Sequence, residues 1–197
     1  MIKIIDYKAG NAPSVLNAVK KLGQEGELCA GPDKLEGATR IILPGVGSAG
    51  ATMRSLEESG FLPALEYEIL TKKIPYLGIC VGMQILFEYS EEDETECLGW
   101  LKGRVIRFDG AKVRVPQMGW NKVEFRKAVP FTCADNHFYF VNSYFAIPRE
   151  KADVWGVADY GGEFTAAAHK DNIYGTQFHI EKSGEAGLKL LRGFLQC

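Results

Sequence analysis

The sequence predicts an α/β fold: a central, mostly parallel sheet flanked by helices, with additional antiparallel strands in the second half. In the first half, short apolar runs alternate with segments of helical periodicity, which is typical of βαβ units. These runs are continuously apolar, as expected of parallel strands that are covered on both faces. In the second half, strand signals follow one another almost without helices, which favours antiparallel pairing.

The first half yields four strands and at least three helices. Strands are predicted at 2–5, 28–30, 41–43 and 74–79, and helices at 12–22, within 49–73 and at 81–89. Asn11 is predicted to cap the first helix, and Gly23 to end it. A break near Gly60 is predicted to divide the helical segment 49–73.

The second half is dominated by strands. Segments 105–108 and 112–115 flank Asp109-Gly110, a dipeptide that favours a tight hairpin turn. Further strands are predicted at 120–125, 138–141, 154–158, 165–169 and 173–178, and a closing helix at 187–195.

Length and composition narrow the classes of function. The 197 residues suit a single domain (1–197), and a net charge of -2 argues against a broad nucleic-acid surface. There is no apolar run long enough for a membrane span and no signal peptide, so we expect a cytoplasmic protein. The five cysteines are odd in number and widely spaced, which indicates neither a disulfide framework nor a zinc site, and no metal or other cofactor is expected.

Cys80 is the candidate nucleophile. It lies in Gly78-Ile79-Cys80-Val81-Gly82, between an apolar strand and a helical pattern, which is the pattern of a nucleophile elbow. The helix N-terminus would favour a thiolate there, and the N–H of Val81 would point to a developing oxyanion. The alternative is a small buried core cysteine. The remaining cysteines lack this setting and are expected to be unreactive: Cys29, Cys97, Cys133 and Cys197.

His179 is the candidate general acid and base. Glu181 lies two residues further on, so in an extended chain both side chains would project from one face, with Cα atoms about 6.6 Å apart. Glu181 could then fix the tautomer of the imidazole. The alternative is a structural histidine at a strand end. His137 and His169 are interpreted as surface residues.

A glycine-rich turn follows the strand at 41–43. Gly45, Val46 and Gly47 would lie at the carboxyl edge of the sheet, where ligands bind in open α/β folds. Their backbone N–H groups could supply a second oxyanion donor. The alternatives are an ordinary turn or a weak phosphate loop, although the G-K-[ST] ending of a Walker A motif is missing.

These segments together resemble the class I, triad-type glutamine amidotransferases, a family with a flavodoxin-like fold. The resemblance rests on PGVG at 44–47, GICVGMQ at 78–84 and QFHIEKS at 177–183. Within that family, four further segments resemble the glutaminase subunits of imidazole glycerol phosphate synthase. They are IDY-x-x-GN at 5–11, LGW at 98–100, VPQMGWN at 115–121 and FYFVNSY at 138–144.

The resemblance implies a glutaminase that passes ammonia to a cyclase subunit with a (β/α)8 barrel, for histidine biosynthesis. The implied triad is Cys80, His179 and Glu181, with the oxyanion held by Val81 and by Gly45, Val46 and Gly47. The implied contacts of L-glutamine are Gly47, Gln84, Ser143 and Tyr144. The implied partner interface contains Gln117, Met118, Trp120, Asn121 and Lys182.

Three positions depart from the subfamily's pattern. Ile180 replaces the proline of His-Pro-Glu, and Gln117 and Asn142 each replace a histidine. The last two leave open a paralogous subunit that supplies ammonia for sugar amidination in surface polysaccharide synthesis. Two alternatives of other classes are a free-standing cysteine hydrolase and a non-catalytic, regulatory pseudo-amidotransferase.

Overall fold

The computed structural model describes residues 1–8, 11–131, 134 and 136–197. Gly10 of the opening motif and Cys133 lie outside the described residues. The α-helices are α1 (Ala12–Lys21), α2 (Ala49–Glu58), α3 (Phe61–Glu66), α4 (Val81–Gln84) and α5 (Gly184–Gln196), and a π-helical turn at Tyr67–Thr71 continues α3. The strands of the first half are β1 (Ile2–Ile5), β2 (Gly26–Cys29), β3 (Arg40–Gly45), β4 (Tyr76–Cys80), β5 (Tyr89–Ser90) and β6 (Thr95–Glu96). Those of the second half are β7 (Gly103–Arg107), β8 (Gln117–Phe125), β9 (Asn136–Asn142), β10 (Tyr144–Pro148), β11 (Val154–Asp159), β12 (Glu163–Lys170) and β13 (Ile173–Thr176).

The sheet has a parallel half and an antiparallel half, which confirms the predicted fold class. The parallel half has the order β2-β1-β3-β4-β13. With these five strands counted in chain order this is 2-1-3-4-5, the flavodoxin-like order. The antiparallel half continues from β13 through β12 and β10 to β7. Strand β12 also pairs with β11, β11 pairs with β8, and β8 pairs with β9, all antiparallel.

The first-half predictions agree with the structure at several points. The predicted strand at 2–5 coincides with β1, and the predicted strands at 41–43 and 74–79 correspond to β3 and β4. The predicted break lies at Gly60, whose φ of 72° is in the left-handed region that favours glycine. Gly23 ends the first helix with a φ of 73°.

Two predicted elements are wrong. The helix predicted at 81–89 stops after one turn, because the carbonyl oxygens of Ile85 and Leu86 accept hydrogen bonds from Leu98 and Leu101 rather than from a following helical turn. The hairpin around Asp109 also does not form. Segment 112–115 is not a strand, and β7 pairs with β10 and β5 instead.

The apolar residues of the parallel strands form the centre of the core. Ile4, Ile42, Leu77 and Ile79 are fully buried. Helix α1 contacts β1, β2 and β3, while α4 packs on β3, β4 and β13. This packing fixes the carboxyl ends of β3 and β4 side by side. In the described ranges, no helix combines the length and the apolar character that crossing a bilayer requires.

Candidate active site

Cys80 lies at the sharp turn between β4 and α4. Its φ of 55° and ψ of -111° are strained for a residue with a Cβ. The flanking glycines are required by close approach: a Cβ on Gly78 would lie 2.1 Å from the carbonyl oxygen of Gly82, and one on Gly82 would lie 2.1 Å from that of Leu43. The sequence therefore folds into the predicted elbow because only glycine fits on both sides of the cysteine.

The environment of the sulfur differs from the one predicted, in which the dipole of the following helix favours a thiolate at Cys80. Helix α4 is a single turn, so its dipole is much weaker than that of a full helix. Specific polar contacts surround Cys80 instead. Its Sγ donates to the carbonyl oxygen of Val141 at 3.8 Å, and Gln177 Nε2 donates to Sγ at 3.6 Å.

His179 and Glu181 form a buried pair, with Nδ1 and Oε1 2.9 Å apart. The predicted extended geometry is wrong, because β13 ends at Thr176 and residues Ile180–Lys182 form a 3-10 turn that brings the carboxylate back to the ring. Asn11 does not cap α1 with its side chain. Its Nδ2 donates instead to Glu181 Oε1 at 3.2 Å.

The pKa values of the pair are set by opposing effects. Burial lowers the pKa of His179, but the interactions of its ring with the Cys80 sulfur and with Glu181 outweigh burial and raise the pKa to about 9. Burial raises the pKa of Glu181, but its hydrogen bond and charge interaction with His179 leave that pKa lowered overall. At neutral pH the imidazole is therefore protonated and faces an ionised carboxylate.

A cleft of about 290 Å³ opens in front of the sulfur, at the carboxyl ends of β3 and β4. That edge is where ligands bind in open α/β sheets. Its lining residues are Val46, Gly47, Cys80, Val81, Gln84, Glu92, Pro116, Val141, Asn142, Ser143, Tyr144, His179 and Lys182. Most residues predicted for the triad, the oxyanion site and the glutamine contacts thus meet in one place. Glu181 lies behind His179, and Gly45 pairs with Cys80 across β3 and β4.

Residues predicted for the partner interface separate into two groups on β8. Met118 and Trp120 are 66% and 57% exposed, and Trp120 packs edge-on against Tyr139 of β9. Gln117 is buried, and Asn121 Nδ2 donates to the carbonyl oxygen of Asp159 at 2.7 Å. The apolar surface beside the cleft is therefore formed by Met118 and Trp120, with the exposed Lys182 at the cleft itself.

Two of the departures from the subfamily pattern lie opposite each other. Gln117 and Asn142 are direct cross-strand partners on β8 and β9, and both are buried. Within the described ranges, Oε1 of Gln117 and Oδ1 of Asn142 are buried without a hydrogen-bond partner. Because cross-strand neighbours share one environment, the two replacements of histidine form one local change, of which Asn142 lines the cleft.

Sequence reasoning missed two residues of the site. Glu92 lines the cleft and accepts a hydrogen bond from the backbone N–H of Ala49 at 2.9 Å, and burial raises its pKa. Gln177 is fully buried and contacts the sulfur. The acidic run at 91–94 and the position of Gln177 two residues before His179 were the available signals, but neither is specific.

The other cysteines and histidines have separate environments. Burial raises the pKa of Cys29 to about 11 and that of Cys97 to about 12, which disfavours a thiolate at both. His137 is exposed on β9, and the ring of His169 packs on Tyr174. No group of three or more His, Cys, Asp or Glu residues that could hold a metal occurs in the described part of the chain.

The sequence profile of the family described as "Glutamine amidotransferase class-I" matches residues 3–197, almost the whole chain. The chain belongs to the class I glutamine amidotransferase family. The cleft with Cys80 and His179 is thus the candidate active site of a family member. The predicted fold class of the chain is that of the family's solved structures.

Relatives with curated names align along this amidotransferase from end to end. Imidazole glycerol phosphate synthase subunit HisH of Leptospira borgpetersenii is 43% identical over 203 residues, 98% of either chain. Subunit HisH 1 of Campylobacter jejuni (strain RM1221) is 43% identical over 201 residues, 100% of either chain. Subunit HisH 2 of Pseudomonas aeruginosa is 39% identical over 200 residues, 100% of this chain and 99% of the relative.

Solved structures share the fold at low sequence identity. A crystal structure of a glutamine amidotransferase superposes with a TM-score of 0.80 at 20% identity, covering 99% of this chain and 97% of the other. PurLQS from Thermotoga maritima gives a TM-score of 0.76 at 19% identity, with the same coverage. At this identity, the likeness shows the fold alone.

Proposed function

We propose that this chain is the glutaminase subunit of an imidazole glycerol phosphate synthase and that it hydrolyses L-glutamine to glutamate and ammonia. The observation that carries the proposal is the placement of Cys80 and His179 at one cleft, with Glu181 hydrogen-bonded to His179, in a chain about two-fifths identical to HisH subunits over its full length. We place the reaction in the cytoplasm, because a catalytic thiolate must stay reduced.

The first half of the reaction forms a thioester. The Cys80 thiolate attacks the side-chain carbonyl carbon of glutamine, and the oxyanion is held by backbone N–H groups of Val81 and the turn at Gly45–Gly47. Collapse of the tetrahedral intermediate breaks the C–N bond. The protonated His179, held by Glu181, gives its proton to the leaving nitrogen, and ammonia departs.

The second half needs a neutral imidazole, and acylation itself supplies one. The proton of His179 has left with ammonia, and the thioester sulfur no longer carries the charge that raised the pKa of the ring. His179 can therefore take a proton from water as it attacks the thioester. Glutamate leaves, the sulfur regains its negative charge, and the ring is protonated again.

The pKa of His179 should depend on the sulfur. In the wild type we expect its imidazole to titrate near pH 9, and in Cys80→Ala at a clearly lower pH, because the sulfur is the largest cause that raises it. NMR titration of the ring, assigned by comparison with His179→Asn, measures both values. Equal titration in the wild type and in Cys80→Ala would contradict this coupling.

Glutamine recognition requires groups for its amide, carboxylate and ammonium. Gln84, Gly47, Ser143 and Tyr144 line the cleft around Cys80 and are proposed to hold the amide and the carboxylate. We assign the α-ammonium to Glu92, the acidic residue among those that line the cleft.

Glu92→Gln should raise KM for L-glutamine about 10- to 100-fold with a smaller change in kcat, because it removes a charge-assisted contact far from the reacting bond. Steady-state kinetics measure both constants. Glutaramate, which is glutamine without the α-amino group, is the control substrate. The penalty of the variant should disappear with it, and an equal penalty for both substrates would remove Glu92 from ammonium recognition.

The partner is proposed to be a cyclase subunit with a (β/α)8 barrel that docks on Met118, Trp120 and Lys182 and receives the ammonia. Two contacts connect this surface to the site. The backbone N–H of His179 donates to the carbonyl oxygen of Tyr139 at 2.9 Å, and Sγ of Cys80 lies 3.8 Å from that of Val141. Displacement of β9 on docking would therefore reach both reacting side chains.

The test measures glutamate release from L-glutamine by the chain alone and with a cyclase subunit of imidazole glycerol phosphate synthase from the same source, loaded with its nucleotide ligand. We expect strong stimulation that Trp120→Ala removes. Ile147→Ala is the matched control, because Ile147 is also an exposed apolar residue but lies on β10, outside the surface that Met118 and Trp120 form on β8. Absence of glutamate release under both conditions would contradict the proposal.

A second candidate is the paralogous subunit that supplies ammonia for sugar amidination. The observation that favours it is the buried Gln117–Asn142 pair, which replaces two histidines of the subfamily pattern at one cross-strand position. A glutaminase that depends on Cys80 but ignores the liganded cyclase would select this candidate.

A further inference from the structure

We propose that Gln177 is a catalytic residue that stabilises the Cys80 thiolate through its side-chain amide N–H, oriented by a relay through Gln84 and the Tyr144 carbonyl. This inference deepens the proposed glutaminase function and rests on it for its role in turnover. The observation is that Gln177 Nε2 lies 3.6 Å from Sγ of Cys80 and is fully buried.

The orientation of each amide in the relay follows from a backbone group. The carbonyl oxygen of Tyr144 can only accept, and Gln84 lies 3.1 Å from it, so the Gln84 amide must present its nitrogen there. The same nitrogen lies 3.0 Å from the Gln177 amide and can only donate, so Gln177 must present Oε1 to it. The NH2 group of Gln177 is therefore the end that faces the sulfur.

A donor held in this way favours the charged form of the sulfur. The amide N–H cannot accept a proton, so it interacts better with a thiolate than with a thiol or a thioester sulfur. A thiolate is both the attacking group of acylation and the leaving group of deacylation. Since α4 is only one turn, this amide supplies locally the stabilisation that a long helix would otherwise give.

The relay continues to the wall of the cleft. Asn142 Nδ2 donates to the same carbonyl oxygen of Tyr144 at 2.9 Å, so two side-chain amides share that acceptor. Gln84 and Asn142 are positioning residues in this scheme, because they act on the sulfur only through Gln177.

The alkylation rate of Cys80 tests the proposal without glutamine or a partner. In Gln177→Met, which has similar volume but lacks the donor, iodoacetamide should modify Cys80 about tenfold more slowly at neutral pH. Peptide mapping identifies the modified cysteine. Thr176→Val is the matched control, because Thr176 is equally buried and its hydroxyl donates to the Phe178 carbonyl. We expect loss of this hydroxyl to change the alkylation rate of Cys80 by less than about twofold.

Kinetics separate this role from a structural one. Gln177 does not line the cleft, so Gln177→Met should lower kcat for glutamine about tenfold and leave KM nearly unchanged. An alkylation rate equal to that of the wild type in a folded Gln177→Met would overturn the proposal. If Gln177→Met does not fold, Gln84→Met takes its place in the test, because it removes the hydrogen bond that orients the Gln177 amide. Slower alkylation of Cys80 in Gln84→Met supports the proposal, and an unchanged alkylation rate overturns it. If the wild-type chain shows no glutaminase activity but the variants are still alkylated more slowly than the wild type, the proposed function is rejected. The contact between the Gln177 amide and the Cys80 sulfur is then retained.

Discussion

Cys80→Ala should lower glutamate release from L-glutamine by about 10⁴-fold or more, because the thioester cannot form without the sulfur. The backbone of the oxyanion turn and the His179–Glu181 pair would remain in place, so the loss should fall on kcat. Steady-state kinetics in the presence of the partner measure it, and circular dichroism checks that the variant is folded. Residual activity within about a hundredfold of the wild type would exclude Cys80 as the nucleophile.

The strain at Cys80 adds a stability difference between two inactive variants. With a φ of 55° and a ψ of -111°, alanine at position 80 keeps the unfavourable backbone conformation, whereas glycine adopts it freely. Cys80→Gly should therefore unfold with a free energy about 1–2 kcal/mol higher than that of Cys80→Ala. Denaturant titration compares the pair. Equal stability would show that the elbow is relaxed at this residue.

Gly82→Ala should lower the free energy of unfolding by about 3–5 kcal/mol. The added Cβ would lie 2.1 Å from the carbonyl oxygen of Leu43, and neither backbone can move without separating β3 from the elbow. The same displacement would carry the oxyanion turn away from Cys80, so activity should fall together with stability.

Gly110→Ala is the control for this substitution. A Cβ on Gly110 would meet no atom within 4 Å, so its free energy of unfolding should stay within about 1 kcal/mol of the wild type. A Gly82→Ala variant as stable as Gly110→Ala would show that the close approach of the elbow to β3 is not required.

The parts of the site that depend on local sterics could be predicted from the sequence. Gly78 and Gly82 determine the elbow because a side chain at Gly78 would clash with backbone four to five residues further on, and one at Gly82 with the backbone of Leu43 on the next strand. His179 and Glu181 are two residues apart, so they meet even though the chain forms a 3-10 turn there rather than the predicted extended segment.

The parts that depend on tertiary contacts could not be predicted. Glu92 reaches the cleft because its carboxylate bonds to Ala49 at the start of α2, more than forty residues earlier in the chain. Gln177 faces the sulfur only because Gln84 and the Tyr144 carbonyl fix its amide. Such contacts have no periodic or spacing signal in the sequence.

The fold shows the same division between local and distant determinants. The parallel half follows from continuous apolar runs, and Gly60 and Gly23 end helices where they were predicted to. The errors at 81–89 and around Asp109 arise where backbone groups pair with distant segments. The turn signal at Asp109-Gly110 produces a turn, but β10 rather than segment 112–115 is the partner of β7.

Labelling with a diazoketone analogue of L-glutamine, followed by peptide mapping, tests most directly whether Cys80 is the nucleophile of a glutamine site. The account predicts a single adduct on Cys80 that excess L-glutamine suppresses and that Cys80→Ala lacks. Cys29 and Cys97 should stay unmodified, because burial raises their pKa values to about 11 and about 12. Adducts spread over several cysteines, or an adduct on Cys80 that glutamine does not suppress, would contradict it.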